Sequence, residues 1–276
     1  MSQFVKSHGL GNDYLVLDPK TLPFELTAEA VRLICDRHKG VGSDGVLAPD
    51  AADGADFGLR IFNPDGSEAE KSGNGVRIFA KYLREHGHTD RDRIRIRTAG
   101  GIVAVRLEMD GDRVRGVTAD MGPAQFSDID HLELGGGHVH VSVVSLGNPH
   151  CVVLVDDVAA VDVMRLGPLI ERHPAFPDRT NVQFAQVRSR SEIAIRIWER
   201  GAGYTLASGT SACAAAAVAA RAGLVDRDVG VVMPGGRLEV RIAPDAGIWL
   251  RGTVEEIAWG DFSPDLLRLL AGGRSA

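Results

Sequence analysis

The chain has 276 residues, 44% hydrophobic and 25% charged, the balance of a soluble globular protein long enough for two domains with cores of their own. A net charge of −6 argues against general affinity for nucleic acid, no apolar run approaches the ~20 residues of a membrane span, and the N-terminus lacks a signal-peptide apolar segment. The three cysteines, Cys35, Cys151 and Cys213, match neither metal nor disulfide spacing, so a cytoplasmic setting with reduced thiols is expected.

In chain order, Phe4 to Val16 reads as a strand interrupted at His8-Gly-Leu-Gly-Asn-Asp13 and resumed by Tyr14 to Leu17. Asn12 at that break is either a ligand contact or part of a plain bulge or turn. Thr27 to Arg37 predicts a short helix capped by Thr27, with Val31, Leu33 and Ile34 as its apolar stripe. A tight loop, Gly40-Val-Gly-Ser-Asp-Gly45, leads into a strand at Val46 to Ala48.

The strand Phe57 to Phe62 enters the most informative stretch of the chain. It turns through Pro64-Asp65-Gly66 and carries Ser72-Gly73-Asn74-Gly75 into an amphipathic helix ending at Glu85, with Val76, Phe79, Ala80 and Leu83 inward. Glycines at a helix start let backbone N–H groups face a ligand, and the helix dipole favours an anion there. Taken alone, such a turn also serves merely to change direction. Strands follow at Arg93 to Thr98 and Ile102 to Glu108 around Gly100-Gly101, with arginines 91, 93, 95 and 97 on one solvated face. Met109 to Asp112 reads as a hairpin turn and Val114 to Met121 as its partner strand.

The passage Pro123 to Gly137 reads as a boundary, giving domains over residues 1–122 and 123–276, with a return of the last segment to the first half left open. The second half opens with a strand from His138 to Ser145, a break at Leu146-Gly-Asn-Pro-His150, and Cys151 to Val155. Met164 to Arg172 predicts a short helix; Asn181 to Ala185 follows, and a strand from Glu192 delivers Glu199-Arg200. Ser208 to Arg221 is an alanine-rich helix suited to close packing, and strands at Val231–Met233, Arg237–Ile242 and Ile248–Glu255 close the sheet.

Four anchors recur at one offset. Leu10-Gly11-Asn12 matches Leu146-Gly147-Asn148, Ile61 matches Ile197, Ser72 matches Ser208 and Gly73 matches Gly209, each 136 residues apart. The offset implies an internal duplication, each half built of many strands on one long helix, with the two Ser-Gly turns converging on one cleft. The class is α+β; periodicity alone leaves a doubly wound sheet open, but strands greatly outnumber helices.

With these motifs in view, the whole chain resembles the diaminopimelate epimerase family. The resemblance rests on Gly9-Leu-Gly-Asn-Asp13, Gly42-Ser-Asp-Gly45, Asn63-Pro-Asp-Gly-Ser-Glu-Ala69, Gly73-Asn-Gly-Val-Arg77, Gly147-Asn-Pro-His-Cys151, Asn181, Glu199-Arg-Gly-Ala-Gly203 and Gly209-Thr210. It implies two pseudo-symmetric barrel-like domains, each a mostly antiparallel sheet around a central helix. It further implies a cytoplasmic homodimer, no cofactor and no metal, and inversion of the α-carbon of an LL- or meso-diamino diacid in lysine and peptidoglycan precursor synthesis. Substrate contacts map onto Asn12, Asn63, Gly73, Asn74, Asn148, Asn181, Glu199, Arg200, Gly209 and Thr210, with Arg200 suited to pair bidentately with the distal carboxylate. His150 and Glu199 correspond to residues that assist the acid and base. Turn chemistry at Asn148-Pro149 and a surface ion pair at Glu199-Arg200 are the plain alternatives.

The chain departs from the family where proton transfer occurs. Two cysteines, each immediately before a glycine, form the family's acid/base pair; here they are Ser72 and Ser208. A serine hydroxyl is far less acidic than a thiol of ordinary pKa ~8.5 and is a weak base without a neighbour to activate it. Tyr204 stands where the family usually has Glu, and Ser211 where it has Gly. The readings that follow are a serine-based epimerase assisted by His150 and Glu199, acting on diaminopimelate or another amino acid; an amino-acid-binding relative without turnover; and serines introduced to trap a complex, against which Tyr204 and Ser211 argue. An isomerase of the same architecture with Glu68 or Glu199 as base ranks lower.

Overall fold

The computed structural model describes residues 3–135 and 137–272. By backbone proximity the chain divides into two compact units, Met1–Val117 together with Thr253–Ala276, and Thr118–Gly252. Each is α+β.

In the first unit, β1 (Phe4–Gly9) and β2 (Asn12–Val16) form an antiparallel hairpin, and the turn between them places Leu10 and Gly11 at positive φ. Helix α1 (Ala28–Cys35) begins at Thr27, whose side chain accepts from Ala30 N. β3 (Val46–Asp50) lies parallel to β2 and antiparallel to β4 (Phe57–Phe62), which pairs with β5 (Glu68–Ala69) and β6 (Arg93–Thr98). β7 (Gly101–Asp110) is antiparallel to β6, and β8 (Arg113–Pro123) follows. Helix α2 (Gly73–Glu85) packs on β1, β2, β4 and β7, with Val76, Ile78, Phe79 and Ala80 fully buried. A second apolar cluster joins Leu15, Val31, Ile34, Val46 and Phe62 to Phe262 from the far end of the chain. On β6, Ile94 and Ile96 face inward while Arg95 and Arg97 bond to the Asp50–Asp56 segment.

The second unit contains β9 (Gln125–Phe126), β10 (His131–Leu134), β11 (Gly137–His140), β12 (Ser142–Ser145), β13 (Pro149–Leu154), α3 (Val163–Glu171), β14 (Asn181–Ser189) and β15 (Glu192–Glu199). It continues with β16 (Gly203–Thr205), α4 (Gly209–Arg221), β17 (Asp228–Met233), β18 (Gly236–Ile242) and β19 (Gly247–Gly252). Helix α4 is buried from Gly209 to Ala219 and touches β12 to β15 and β17 to β19. Its alanines and Cys213 let the surrounding backbone approach closely from every side.

The duplication is visible element by element. α2 spans 73–85 and α4 spans 209–221, so both helix boundaries fall 136 residues apart. The register repeats as well: Val46 opposes Phe62 as Val182 opposes Trp198, and Ile61 opposes Ala69 as Ile197 opposes Thr205. The parallel pairs β2–β3 and β13–β14 also correspond.

The passage after Pro123 carries β9 and β10, the latter paired with β11. Two sequence expectations are corrected. His138 to Ser145 is two strands, divided at Val141, whose N–H donates to Asp130 O. Ile248 to Glu255 is also divided: β19 ends at Gly252, and β20 (Glu255–Gly260) pairs with β1 in the first unit. A final helix, α5 (Pro264–Leu270), is capped by Ser263.

Candidate functional site

The two long helices begin alike. Ser72 and Ser208 hold extended N-cap conformations, φ −136° and ψ 121° against φ −147° and ψ 127°. Their side chains differ. Ser72 Oγ accepts from Gly75 N at 3.0 Å and lies 3.2 Å from Tyr14 Oη. Ser208, also buried, makes no side-chain cap hydrogen bond.

Around Ser72 the first unit builds a polar chain anchored by charge. Arg77 donates to Asn74 Oδ1, Asn74 Nδ2 donates to Asn12 Oδ1 at 3.0 Å, and Asn12 Nδ2 donates to Asp44 Oδ2 at 3.1 Å. Asp44 also accepts from Asp13 N, and Arg37 bridges the two carboxylates at 2.8 Å to each. Burial favours the neutral acid at Asp13, but hydrogen bonds from Arg37 and Lys6 outweigh it and hold the carboxyl below its ordinary value. At Asp44 burial and the neighbouring Asp13 charge win, and its pKa is raised. Gly73 is buried in the first turn of α2.

Asn63 lies apart from this chain, donating to Ser67 Oγ at 3.0 Å in the Pro64–Gly66 turn. Glu68 is held by Arg60 through two bonds, at 3.2 and 3.1 Å, which occupies both carboxylate oxygens.

The second unit repeats the arrangement with different chemistry. Asn148 stands where Asn12 does and Thr210 where Asn74 does; Asn148 Nδ2 donates to Thr210 Oγ1 at 3.4 Å. His150 is fully buried between Asn148 Oδ1 and Gln183 Nε2, both at 3.0 Å, and Gln183 Nε2 also donates to Ser211 Oγ at 3.0 Å. With the amide donating to Nδ1, the imidazole proton sits on Nε2 and is given to Asn148. Burial pushes the His150 pKa down to about 3, the Arg200 charge acting the same way and the Gln183 bond opposing it. His150 is therefore a neutral group with both nitrogens engaged, oriented on Asn148.

Asn181 Nδ2 donates to Pro149 O at 2.8 Å and its Oδ1 accepts from Arg200 N at 3.0 Å, tying Asn148-Pro149 to Glu199-Arg200. Glu199 ends β15 opposite Gly203. The turn after it is supported by Glu171, a buried carboxylate that accepts from Gly201 N at 3.2 Å and from Trp198 Nε1 at 2.9 Å. Arg196 lies 5.6 Å over the Tyr204 ring, so Tyr204 is packed by its own strand neighbours. Gly209 is buried at the start of α4 beside Thr210.

Sequence reasoning missed Tyr14, Gln183 and Glu171. The repeat contains a signal for the first, since Tyr14 and His150 are themselves 136 residues apart. Burial pushes the Cys35 thiol up to about 11 and the Cys151 thiol to about 12, so both are protonated packing groups. Among the described residues no group of three or more His, Cys, Asp or Glu is placed to hold a metal ion.

Two repeated units, each with a serine at the N-cap position of its long helix beside an ordered asparagine, define a fold that solved structures share. A probable proline racemase from Agrobacterium radiobacter K84 matches with a TM-score of 0.75 at 18% identity, over 100% of this chain and 97% of that one. Sequence narrows the class further. The sequence model described as diaminopimelate epimerase matches residues 4–127 and 142–256. The chain is 46% identical to diaminopimelate epimerase 2 of Nostoc sp. over 281 residues, covering 97% of this chain and 98% of that protein. It is 44% identical to the diaminopimelate epimerase of Pelotomaculum thermopropionicum over 275 residues, covering 94% and 98%. The chain belongs to the diaminopimelate epimerase family.

Proposed function

We propose that the chain is a cofactor-independent isomerase that interconverts LL- and meso-diaminopimelate by two-base proton transfer at the α-carbon, serving lysine and peptidoglycan precursor synthesis. The observation that carries this reading is the repeated helix start, Ser72 on α2 and Ser208 on α4, in a chain of this family. One serine removes the α-proton and the other returns a proton to the opposite face; microscopic reversibility exchanges their roles for the other isomer. The carbanion's charge spreads into the α-carboxylate, where first-turn amides at Gly73, Asn74, Gly209 and Thr210 offer fixed donors. Asn12, Asn63, Asn148 and Asn181 take the ammonium and carboxylate groups, Glu199 assists beside the α-carbon, and Arg200 pairs with the distal carboxylate. His150 acts by holding Asn148.

No helix among the described residues is long and apolar enough to cross a membrane, and the partner in this proposal is a small amino acid in the cytoplasm. The working unit is a homodimer. Ile257 and Trp259 support it: both lie on β20 and are 52% and 65% exposed. Sedimentation should give twice the chain mass, and Trp259→Glu should shift it toward the single chain; a monomeric wild type would remove the dimer from the proposal.

Activity is tested by incubating LL-diaminopimelate with the protein in D₂O and following loss of the α-proton signal by NMR. Exchange is expected, and Ser72→Ala or Ser208→Ala should abolish epimerisation. A second reading has its own support, since Ser208 makes no side-chain cap bond. Absence of exchange, with binding of the amino acid still measured by calorimetry, would replace the epimerase by a binding protein of the same family.

A further inference from the structure

Ser72 poses a chemical problem that its surroundings answer. A serine hydroxyl becomes a useful base only when a neighbour accepts its proton. Tyr14 Oη lies 3.2 Å from Ser72 Oγ, and Gly75 N–H points at the same oxygen from 3.0 Å. The phenol is fixed in place: Tyr14 is 7% exposed, and a Cβ on Gly45 would stand 2.7 Å from its ring. A phenol of ordinary pKa ~10 ionises far more readily than an aliphatic alcohol.

We propose that Tyr14 is the proton-relay and positioning residue for Ser72, a role that rests on the epimerase reading above. In the forward step the substrate α-C–H bond breaks and its proton passes to Ser72 Oγ. The Ser72 hydroxyl proton passes at the same time to the Tyr14 phenolate, and the C–H electron pair remains on the α-carbon, delocalised into the carboxylate. Nothing is oxidised or reduced: the substrate loses one proton and the phenolate becomes a phenol. The Gly75 N–H and the positive end of α2 stabilise negative charge on Ser72 Oγ as the protons move. The equivalent position in the second unit is His150, whose nitrogens are engaged by Asn148 and Gln183, so the relay belongs to one half of the repeat.

Charged groups bear on Tyr14 from each element packed against β2. Opposite it on β1, Ser7 is flanked by Lys6, paired with the adjacent Asp13, and His8, 3.6 Å from Glu255 of β20. Asp44, ahead of β3, is paired with Arg37 after α1. On α2, Arg77 bonds to Asn74 and Lys81 pairs with Glu85.

The test is α-proton exchange as a function of pH for wild type, Tyr14→Phe, Ser72→Cys and the double variant. Tyr14→Phe removes one oxygen and keeps the ring. It should slow exchange by about 100-fold and abolish the rise in rate with pH that accompanies ionisation of the relay. The loss should disappear in the Ser72→Cys background, because a thiolate needs no relay. An independent reading uses tyrosinate absorbance, for the chain has three tyrosines, Tyr14, Tyr82 and Tyr204. Ser72→Ala should move one ionisation to higher pH, the one that Tyr14→Phe deletes. Wild-type rates and pH profile in Tyr14→Phe, or tyrosine ionisations unmoved by Ser72→Ala, would overturn the relay. No exchange by wild type at any pH would instead defeat the epimerase reading, while the absorbance titration still decides whether the two hydroxyls are coupled.

Discussion

Restoring both thiols, Ser72→Cys with Ser208→Cys, is expected to raise α-proton exchange and epimerisation by at least about 100-fold, the usual span of general acid–base catalysis. The backbone needs no adjustment, since both N-caps are extended and a thiol occupies the position of the hydroxyl. The gain comes from acidity. A cysteine at a helix N-terminus falls below its ordinary pKa of ~8.5, so thiolate is present at neutral pH where alkoxide is not. The singles should be unequal. Ser72 already has Tyr14 at 3.2 Å, whereas Ser208 makes no side-chain cap bond, so Ser208→Cys should contribute more than Ser72→Cys. NMR exchange in D₂O measures all three variants. A double variant no faster than wild type would mean that the chain has diverged beyond this chemistry, with Tyr204 and Ser211 the first positions to revert.

Much of this was legible in the residues because duplication is a sequence property. The offset joining Ser72 to Ser208 also joins the first and last residues of α2 to those of α4, and the hairpin turns at Gly11 and Gly147. Local chemistry set the helix starts: Thr27 and Ser72 accept hydrogen bonds as their N-cap positions require. What stayed hidden depends on distance along the chain. β20 pairs with β1 across about the whole sequence, and nothing in Glu255 to Gly260 announces that partner. The passage after Pro123 is rich in turn formers and reads as a boundary between the halves, yet Leu132 and Val141 are buried in the core of the second unit, and burial overrides propensity. In the site, the asparagines were visible as motifs, but their orienters Asp44, Gln183 and Glu171 act through folded contacts. A glutamine within an apolar strand looks like a packing accident until its amide is seen reaching both His150 and Ser211.

His150 should make stability fall as the solution is acidified, in a window set by its two pKa values. The unfolded chain titrates this imidazole near 6.5, while burial lowers the folded value to about 3. Between these limits the unfolded state binds a proton that the folded state does not, so stability rises with pH up to about 6.5 and is fully present above it. Moving from pH 6.5 to 4.5 should therefore remove roughly 2.5 kcal/mol, at about 1.4 kcal/mol for each pH unit. Asp13, whose pKa is lowered, adds its loss only at more acid pH, and Asp44, whose pKa is raised, acts in the opposite sense. Urea unfolding followed by tryptophan emission measures the effect, since Trp198 and Trp249 report on the second unit. The variant His150→Gln has no imidazole to protonate and should flatten the slope between pH 6.5 and 4.5 while lowering stability at pH 7, where Asn148 loses its partner. A histidine that stays neutral above about pH 3 adds no limb near 6.5 to the exchange profile, and its replacement should act on substrate affinity through Asn148. A wild-type slope unchanged by His150→Gln, or an activity limb near 6.5 that the variant removes, would place a charged His150 in the folded protein and contradict the neutral, buried hydrogen-bonded chain of Gln183, His150 and Asn148.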